Sequence, residues 1–174
     1  MSINHLLIVT SEPKSVFLET LFKYFKSKKN KLKKKTITLI GSKTLIENEA
    51  KKNNFKILIN EVVDIKYSKK NKLNLINIPF KLNLRKSDFS SYIDASFQKG
   101  LSILKNNKEI VLFNGPINKK FFLKKKYHGM TEYLAKNTSS KDPTMLIYNE
   151  KISVSPITTH LPIKQVAKNI SKIK

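Results

Sequence analysis

The chain has no cysteine, only one arginine among its 35 basic residues, and no long hydrophobic run. Without cysteine, disulfides and thiolate metal sites are excluded, and a reducing compartment is the default. The apolar run near the start, Leu6-Leu7-Ile8-Val9, has no basic leader before it. It is too short for a secretory core and far too short to span a bilayer. A cytoplasmic protein with no membrane partner is expected. The scarcity of arginine bears on the net charge of +23, which is carried almost wholly by lysine around the single Arg85. Proteins that read nucleic acid lean on arginine, whose planar fork pairs bidentately with phosphate and guanine. Aromatic residues interleaved with basic ones are also missing. Lysine, asparagine and isoleucine in excess are what A/T-rich coding supplies, so the tracts from Lys26 to Lys35 and Lys66 to Lys72 read as solvated surface. Weak polyanion binding at low salt follows from such a charge. A specific nucleic-acid partner does not.

What is present is enough for a core: 174 residues, 40% of them hydrophobic, with no internal repeat and no Gly/Ser linker. A single α/β unit over residues 1–174 is expected. Leu6 to Thr10 predicts a strand, and Ser15 to Phe25 a helix with Phe17, Leu18, Leu21, Phe22 and Phe25 on one face. Thr36 to Ile40 predicts a second strand ending at Gly41, followed by a helix from Thr44 to Lys52. Phe55 to Ile59 predicts a third strand, and Leu73, Leu75, Ile76 and Ile78 a fourth that stops at Pro79. The longest helix is expected from Ser87 to Lys105, with Ile93, Phe97, Leu101 and Leu104 on one stripe and Ser87 or Asp88 as its cap. Glu109 to Phe113 predicts a compact strand. Short helices from Ile117 to Lys124 and Thr131 to Lys136 come next. Met145 to Tyr148 and Ile152 to Ile157 predict two strands around a hairpin turn at Asn149-Glu150-Lys151. A last helix from Pro162 to Ile173 would use proline's missing N–H at its first turn. This alternation argues for a mostly parallel sheet with helices on its faces. An alternating fold normally runs on past such a final helix, so the chain reads as incomplete.

Three polar clusters lie at or shortly after predicted strand ends, where ligands collect in α/β sheets. In Asn114-Gly115-Pro116-Ile117-Asn118-Lys119, the Gly-Pro turn presents Asn118 and Lys119, and Lys119 suits a phosphate or carboxylate as a point charge. In Gly129-Met130-Thr131-Glu132, Thr131 either caps a helix or binds an anionic ligand group with the helix N-terminus. In Thr158-Thr159-His160-Leu161-Pro162, His160 is placed to bind a divalent metal. A lone histidine is more often structural, and a catalytic metal needs about three protein ligands. The other two are not visible.

Taken in order, these clusters resemble the 4-hydroxythreonine-4-phosphate dehydrogenase family (PdxA type). Gly115 to Lys119 matches its Gly-Pro-Ile-Asn-Lys segment, Gly129-Met130-Thr131-Glu132 its Gly-His-Thr-Glu segment, and Thr158 to Pro162 its Thr-Thr-His-Leu-Pro segment. A Met-containing strand, here Thr144 to Ile147, lies between the last two. The similarity is strong over roughly Glu109 to Ile170 and weak before it. The resemblance implies the isocitrate/isopropylmalate dehydrogenase-like α/β/α architecture and a homodimer with its site between subunits. It also implies NAD and a divalent metal (Zn, Mg or Co) as cofactors. The substrate it implies is a phosphorylated hydroxy acid, oxidised and decarboxylated in pyridoxine biosynthesis. It makes His160 one of three metal-binding histidines and Thr131 a substrate-binding threonine, with position 130, Asn118 and Lys119 on the substrate side. No residue is assigned to catalysis or to NAD.

The chain departs from the family in three places. Met130 stands where the family has a substrate-binding histidine, and a thioether cannot donate a hydrogen bond; His128, two residues upstream, is a candidate substitute. The loop after the first strand, Ser11 to Glu19, keeps Glu12, Pro13 and Glu19 and has lost the family's glycines. The family also continues well past its Thr-Thr-His motif into a part carrying the other two metal histidines and most NAD contacts. The chain therefore corresponds to the N-terminal portion of the dehydrogenase, expected to be inactive alone. The alternatives are an inactive homologue, a paralogue acting on four-carbon sugar-acid phosphates, or a basic nucleic-acid-binding protein.

Overall fold

In the computed structural model, residues 4–10, 12–27, 35–81, 83, 85, 88–123, 126–141 and 143–170 are described. Contacts divide the chain into two compact units, Met1–Phe122 and Leu123–Lys174. No boundary within 1–174 is visible in the sequence.

The first unit holds five strands: β1 (His5–Val9), β2 (Thr36–Gly41), β3 (Ile59–Glu61), β4 (Leu73–Asn77) and β5 (Ile110–Asn114). All pair in parallel, in the order β3-β4-β2-β1-β5. Parallel strands need crossovers; three of the four run through α1 (Phe17–Lys26), α2 (Lys43–Lys52) and α3 (Phe89–Lys105), and the fourth, from β3 to β4, is a loop with one 3-10 turn at Ile65–Tyr67. Leu6 and Ile8 of β1 point to one face and pack with Leu18 and Phe22 of α1 and Ile46 of α2. Alternation along the strand sends Leu7 and Val9 to the other face, where α3 packs on β1, β2 and β5. Phe97 of α3 is fully buried. Near-continuous apolar strands are therefore what this sheet requires, because both of its faces are covered. The first four strands lie on β1 and to one side of it. β5 returns to the other side through α3, so strand order reverses at the β1–β5 seam.

The expected alternation stands, with local differences. The third strand forms later than expected: Phe55 and Ile57 pack on the core from the approach to β3, and Phe55 meets Phe22 edge-on at 5.5 Å. Their apolarity serves packing, and only Ile59–Glu61 reaches register with β4. The helix expected over 117–124 shrinks to α4 (Lys119–Phe122). Helix α3 starts at Phe89 with Asp88 at its cap position; Ser87 lies outside the described residues, as does most of the 26–35 lysine tract.

Among its described residues, the second unit holds the helices α5 (Met130–Thr138) and α6 (Ile163–Asn169). Tyr133 is buried in α5 and meets Tyr127 edge-on. The two strands expected over 145–148 and 152–157 reduce to a single antiparallel bridge, Ile147 to Val154. Its turn is the expected one, with the Lys151 N–H donating to Asn149 Oδ1 at 3.0 Å. A two-stranded hairpin without a third strand or a covering helix is marginal, which accounts for the short pairing. Helix α6 begins one residue after Pro162 and has no buried residue.

Candidate functional site

At the β1–β5 seam, the loops leaving the two strands are tied by backbone bonds. The Gly115 N–H donates to Val9 O at 2.9 Å, and the Glu12 N–H to Pro116 O at 3.1 Å. The Glu12 carboxylate in turn accepts from the Asn118 N–H at 3.2 Å. Gly115 is required by this approach, since a Cβ there would sit 2.8 Å from the Phe17 ring and 2.9 Å from Thr10 O. Beneath the loops runs a buried polar chain. The Ser42 N–H donates to the Tyr92 hydroxyl at 3.0 Å, which meets Thr10 Oγ1 at 3.2 Å; Thr10 donates onward to Ile40 O. Burial pushes the Tyr92 phenol above its ordinary pKa, so it stays protonated and can donate.

This seam places two of the expected substrate-side residues. Asn118 is exposed, but its side chain accepts from the Phe121 N–H and so caps α4. Lys119 is exposed on the first turn of that helix. Glu12 and Tyr92 were not among the residues singled out for the site. Glu12 could have been, since it follows a strand end directly. Tyr92 gave little signal, because it reads as one more apolar position on the α3 stripe.

The loop between β1 and α1 shows what the missing glycines cost. Lys14 adopts the left-handed conformation (φ 62°), which glycine reaches freely and other L-residues at roughly 1–2 kcal/mol. The Lys14 ammonium lies 5.9 Å from the Phe89 ring centroid.

The second unit brings together His128, Glu132 and His160. The imidazoles of His128 and His160 stack at 5.4 Å between centroids. His160 Nε2 lies 3.8 Å from Glu132 Oε1. Glu132 Oε2 is buried and has no hydrogen-bond partner among the described residues. His160 itself takes a left-handed backbone (φ 58°), a conformation that strains a non-glycine residue and is concentrated at functional positions. The capping alternative for Thr131 does not hold, because Gly129 occupies the cap position and makes no side-chain cap bond. Thr131 instead lies half-buried in the first turn beside Met130, with Glu132 at the favourable end of the helix dipole.

As a metal site this donor set is partial. His160 supplies one imidazole and Glu132 an unsatisfied carboxylate oxygen, but no cluster of three His, Cys, Asp or Glu is found among the described residues. A full coordination shell needs more ligands than these. A separate cavity of about 830 Å3 opens at the amino-terminal edge of the sheet, beside His5, Asp64, Lys66 and Lys108. It contains none of the motif residues, and α3 directs its C-terminal carbonyls to that end. The carboxyl edge, where the polar loops converge, is the better site.

The first unit is thus a doubly wound parallel α/β fold in which the loops leaving β1 and β5 meet at the point where strand order reverses. Residues 33–174 match the family described as "Pyridoxal phosphate biosynthetic protein PdxA", and the chain belongs to that family. The match reaches back to residue 33, well before the stretch where the motifs are strongest. The chain is 29% identical over 180 residues to the 4-hydroxythreonine-4-phosphate dehydrogenase of Sulfurihydrogenibium sp. (strain YO3AOP1), covering 97% of this chain and 53% of that protein. It is 47% identical over 60 residues to the enzyme of the same name from Aquifex aeolicus (strain VF5), covering 33% of this chain and 18% of that one. In fold it is similar to the crystal structure of a 4-hydroxythreonine-4-phosphate dehydrogenase from Burkholderia phymatum. That likeness has a TM-score of 0.79 at 17% identity, over 97% of this chain and 54% of the other. The chain thus spans about half the length of the first of these relatives. The expected family and parallel α/β fold are borne out.

Proposed function

We propose that the chain forms the N-terminal, substrate-side portion of a metal- and NAD-dependent dehydrogenase that oxidises and decarboxylates a phosphorylated hydroxy acid. The observation that supports it most is the His160 geometry: a strained left-handed residue in the Thr-Thr-His motif, with its imidazole beside the orphaned Glu132 carboxylate. When bound, a divalent ion supplies Lewis-acid polarisation of the substrate oxygen, with His160 as one ligand. Glu132 orients that imidazole. The Thr131 hydroxyl and the first-turn N–H groups of α5 receive an anionic substrate group. Lys119 supplies a point charge to the same class of group, and Asn118 sets the helix that carries it. Met130 removes one donor that the family's histidine would supply. The loop after β1 has no glycine to bring a backbone close to a pyrophosphate, so none of these residues is assigned to NAD. A homodimer in the cytoplasm completes the proposal.

The test is NADH formation from 4-hydroxythreonine 4-phosphate with added Zn2+, Mg2+ or Co2+. The 174-residue chain alone should give none. Fused to the part of the Sulfurihydrogenibium relative it does not match, it should turn over, and His160→Ala in that fusion should cut the rate by roughly 100-fold or more, the scale of a lost metal ligand or its support. An unchanged rate in His160→Ala sinks the assignment of His160. A clear metal-dependent rate from the 174-residue chain alone sinks the division of the site.

A further inference from the structure

The cavity of about 830 Å3 at the amino-terminal edge of the sheet is built entirely from the first unit. The last two turns of α3 line it, as do the start of the β3–β4 crossover turn and the first residues of β1 and β5, His5 and Ile110. A polar chain fixes its floor. His5 Nε2 lies 2.8 Å from Thr38 Oγ1, which lies 2.8 Å from Ser68 Oγ. Thr38 is fully buried, and Ser68 closes the crossover turn that carries Lys66, so sheet and crossover are tied together here. Burial holds His5 below its ordinary pKa, which keeps the imidazole neutral at pH 7. Ser68 donating to Thr38, and Thr38 to Nε2, satisfies all three groups. The neutral ring then carries its proton on Nδ1, where it can donate to a ligand.

The charge of the lining is uneven. The Asp64 carboxylate is committed to the Lys66 N–H at 2.9 Å, as the cap of the crossover turn. The Ile103 and Leu104 carbonyls of α3, which would repel an anion, already accept from Asn106 and Asn107. That leaves Glu109 against the ammonium groups of Lys66, Lys99 and Lys108. Neither Lys99 nor Lys108 has an ion-pair partner among the described residues.

We infer that this cavity is a second ligand site, taking a small molecule with two or more anionic groups, phosphate or carboxylate, held by the three lysines with His5 as a neutral donor. Its volume falls within the roughly 300–1,000 Å3 usual for small-molecule sites, more room than one phosphate ion fills. Cations drawn from α3, the stretch after it and the crossover suit separated charges. The inference is independent of the reaction proposed above, since no motif residue lines the cavity.

The experiment is titration of the 174-residue chain with inorganic pyrophosphate and, separately, with citrate. Salt is held at about 0.15 M, which screens diffuse attraction to the net charge. Amide NMR shifts at His5, Lys99 and Lys108 should saturate together for at least one probe, with a Kd below about 1 mM. Saturation by pyrophosphate alone makes the ligand a polyphosphate, by citrate alone a polycarboxylate, and by both any compact polyanion. Lys99→Gln/Lys108→Gln should weaken binding about tenfold, the scale of lost charge-assisted bonds. Lys99 is half-buried and Lys108 exposed, so the thermal transition should not move. His5→Phe, which keeps a ring and removes the donor, should weaken binding about fivefold. Lys51→Gln/Lys56→Gln removes the same charge from exposed positions outside the cavity and should change binding less than about twofold. The absence of saturable shifts overturns the inference. So does equal weakening by the two lysine pairs, which would make binding a property of net charge, or an affinity indifferent to both the cavity pair and His5→Phe.

Discussion

The first unit and the 143–170 segment of the second are built from similarly apolar sequence, yet one buries its strands on both faces and the other buries nothing. In the first, Leu6 and Ile8 meet α1 and α2 while Leu7 and Val9 face the side that α3 covers. In the second, Ile147 and Val154 pair across one bridge and stay exposed. The difference is not in the β-forming tendency of the residues. Burial comes from helices returning over the sheet, and the first unit contains all of its own. Apolar periodicity states a demand for a cover without saying where the cover comes from.

The comparison can be broken by truncating side chains in each region. Phe97→Ala removes a fully buried ring that stacks on Phe122 at 5.9 Å. It should cost about 4 kcal/mol in urea unfolding, the range for a large aromatic in a packed core. A cost near zero would mean that the first unit is no better packed than the 143–170 segment.

Tyr92→Phe keeps the packing and removes the hydroxyl between Ser42 and Thr10. Leaving the buried Ser42 N–H unsatisfied should cost roughly 1–3 kcal/mol, again read by urea unfolding. An unchanged midpoint would show that the polar chain beneath the seam contributes nothing.

A pH scan should give a smaller effect. His5 is half-buried, with Nε2 2.8 Å from Thr38 Oγ1, and burial holds its pKa below the ordinary 6.5. The unfolded chain therefore takes up the proton first. The stability His5 contributes is intact above pH 6.5 and is lost as pH falls through the lower folded value. The melting temperature should drop more between pH 7 and 5 for the parent than for His5→Gln. Parallel curves would remove His5 from the account.

The smallest effect is expected at Ile152. Ile152→Ala should change stability by less than about 0.5 kcal/mol, as for surface positions generally. A loss of several kcal/mol would show that this side chain is covered in solution by the chain itself.

Much of the first unit is legible in the sequence. The apolar runs at 36–40 and 110–113 and the stripe through Ile93, Phe97 and Leu101 translate directly into strands and a helix, because the sheet and helices that cover them belong to the first unit itself, even where a strand's partner is distant in sequence, as β1 is for β5. Boundaries fail where side chains find packing instead of pairing, as at Phe55 and Ile57. They fail again at 145–157, where strand-like residues have nothing to pair with beyond each other. The candidate site is legible as motifs: Gly115 to Lys119, Thr131 and His160 are all findable by type and order. The Tyr92 bridge is not, since a hydroxyl on an apolar helical stripe shows no sign of its distant partners. Nor is the meeting of His128, Glu132 and His160, which depends on a backbone turn at His160 that sequence patterns do not reveal.

By itself the sequence determined the class of the fold, the family and the identity of the residues at strand ends, because periodicity and ordered motifs are local properties. Only the tertiary structure decided the strand order, and with it the seam at β1 and β5, since which strands become neighbours depends on how crossovers pack on two faces. It also decided that Asn118 is used as a cap, that Thr131 lies inside its helix, and that Glu132 keeps an unsatisfied oxygen beside His160. Those outcomes come from the competition of polar groups for partners, and that competition is settled only once the chain has folded.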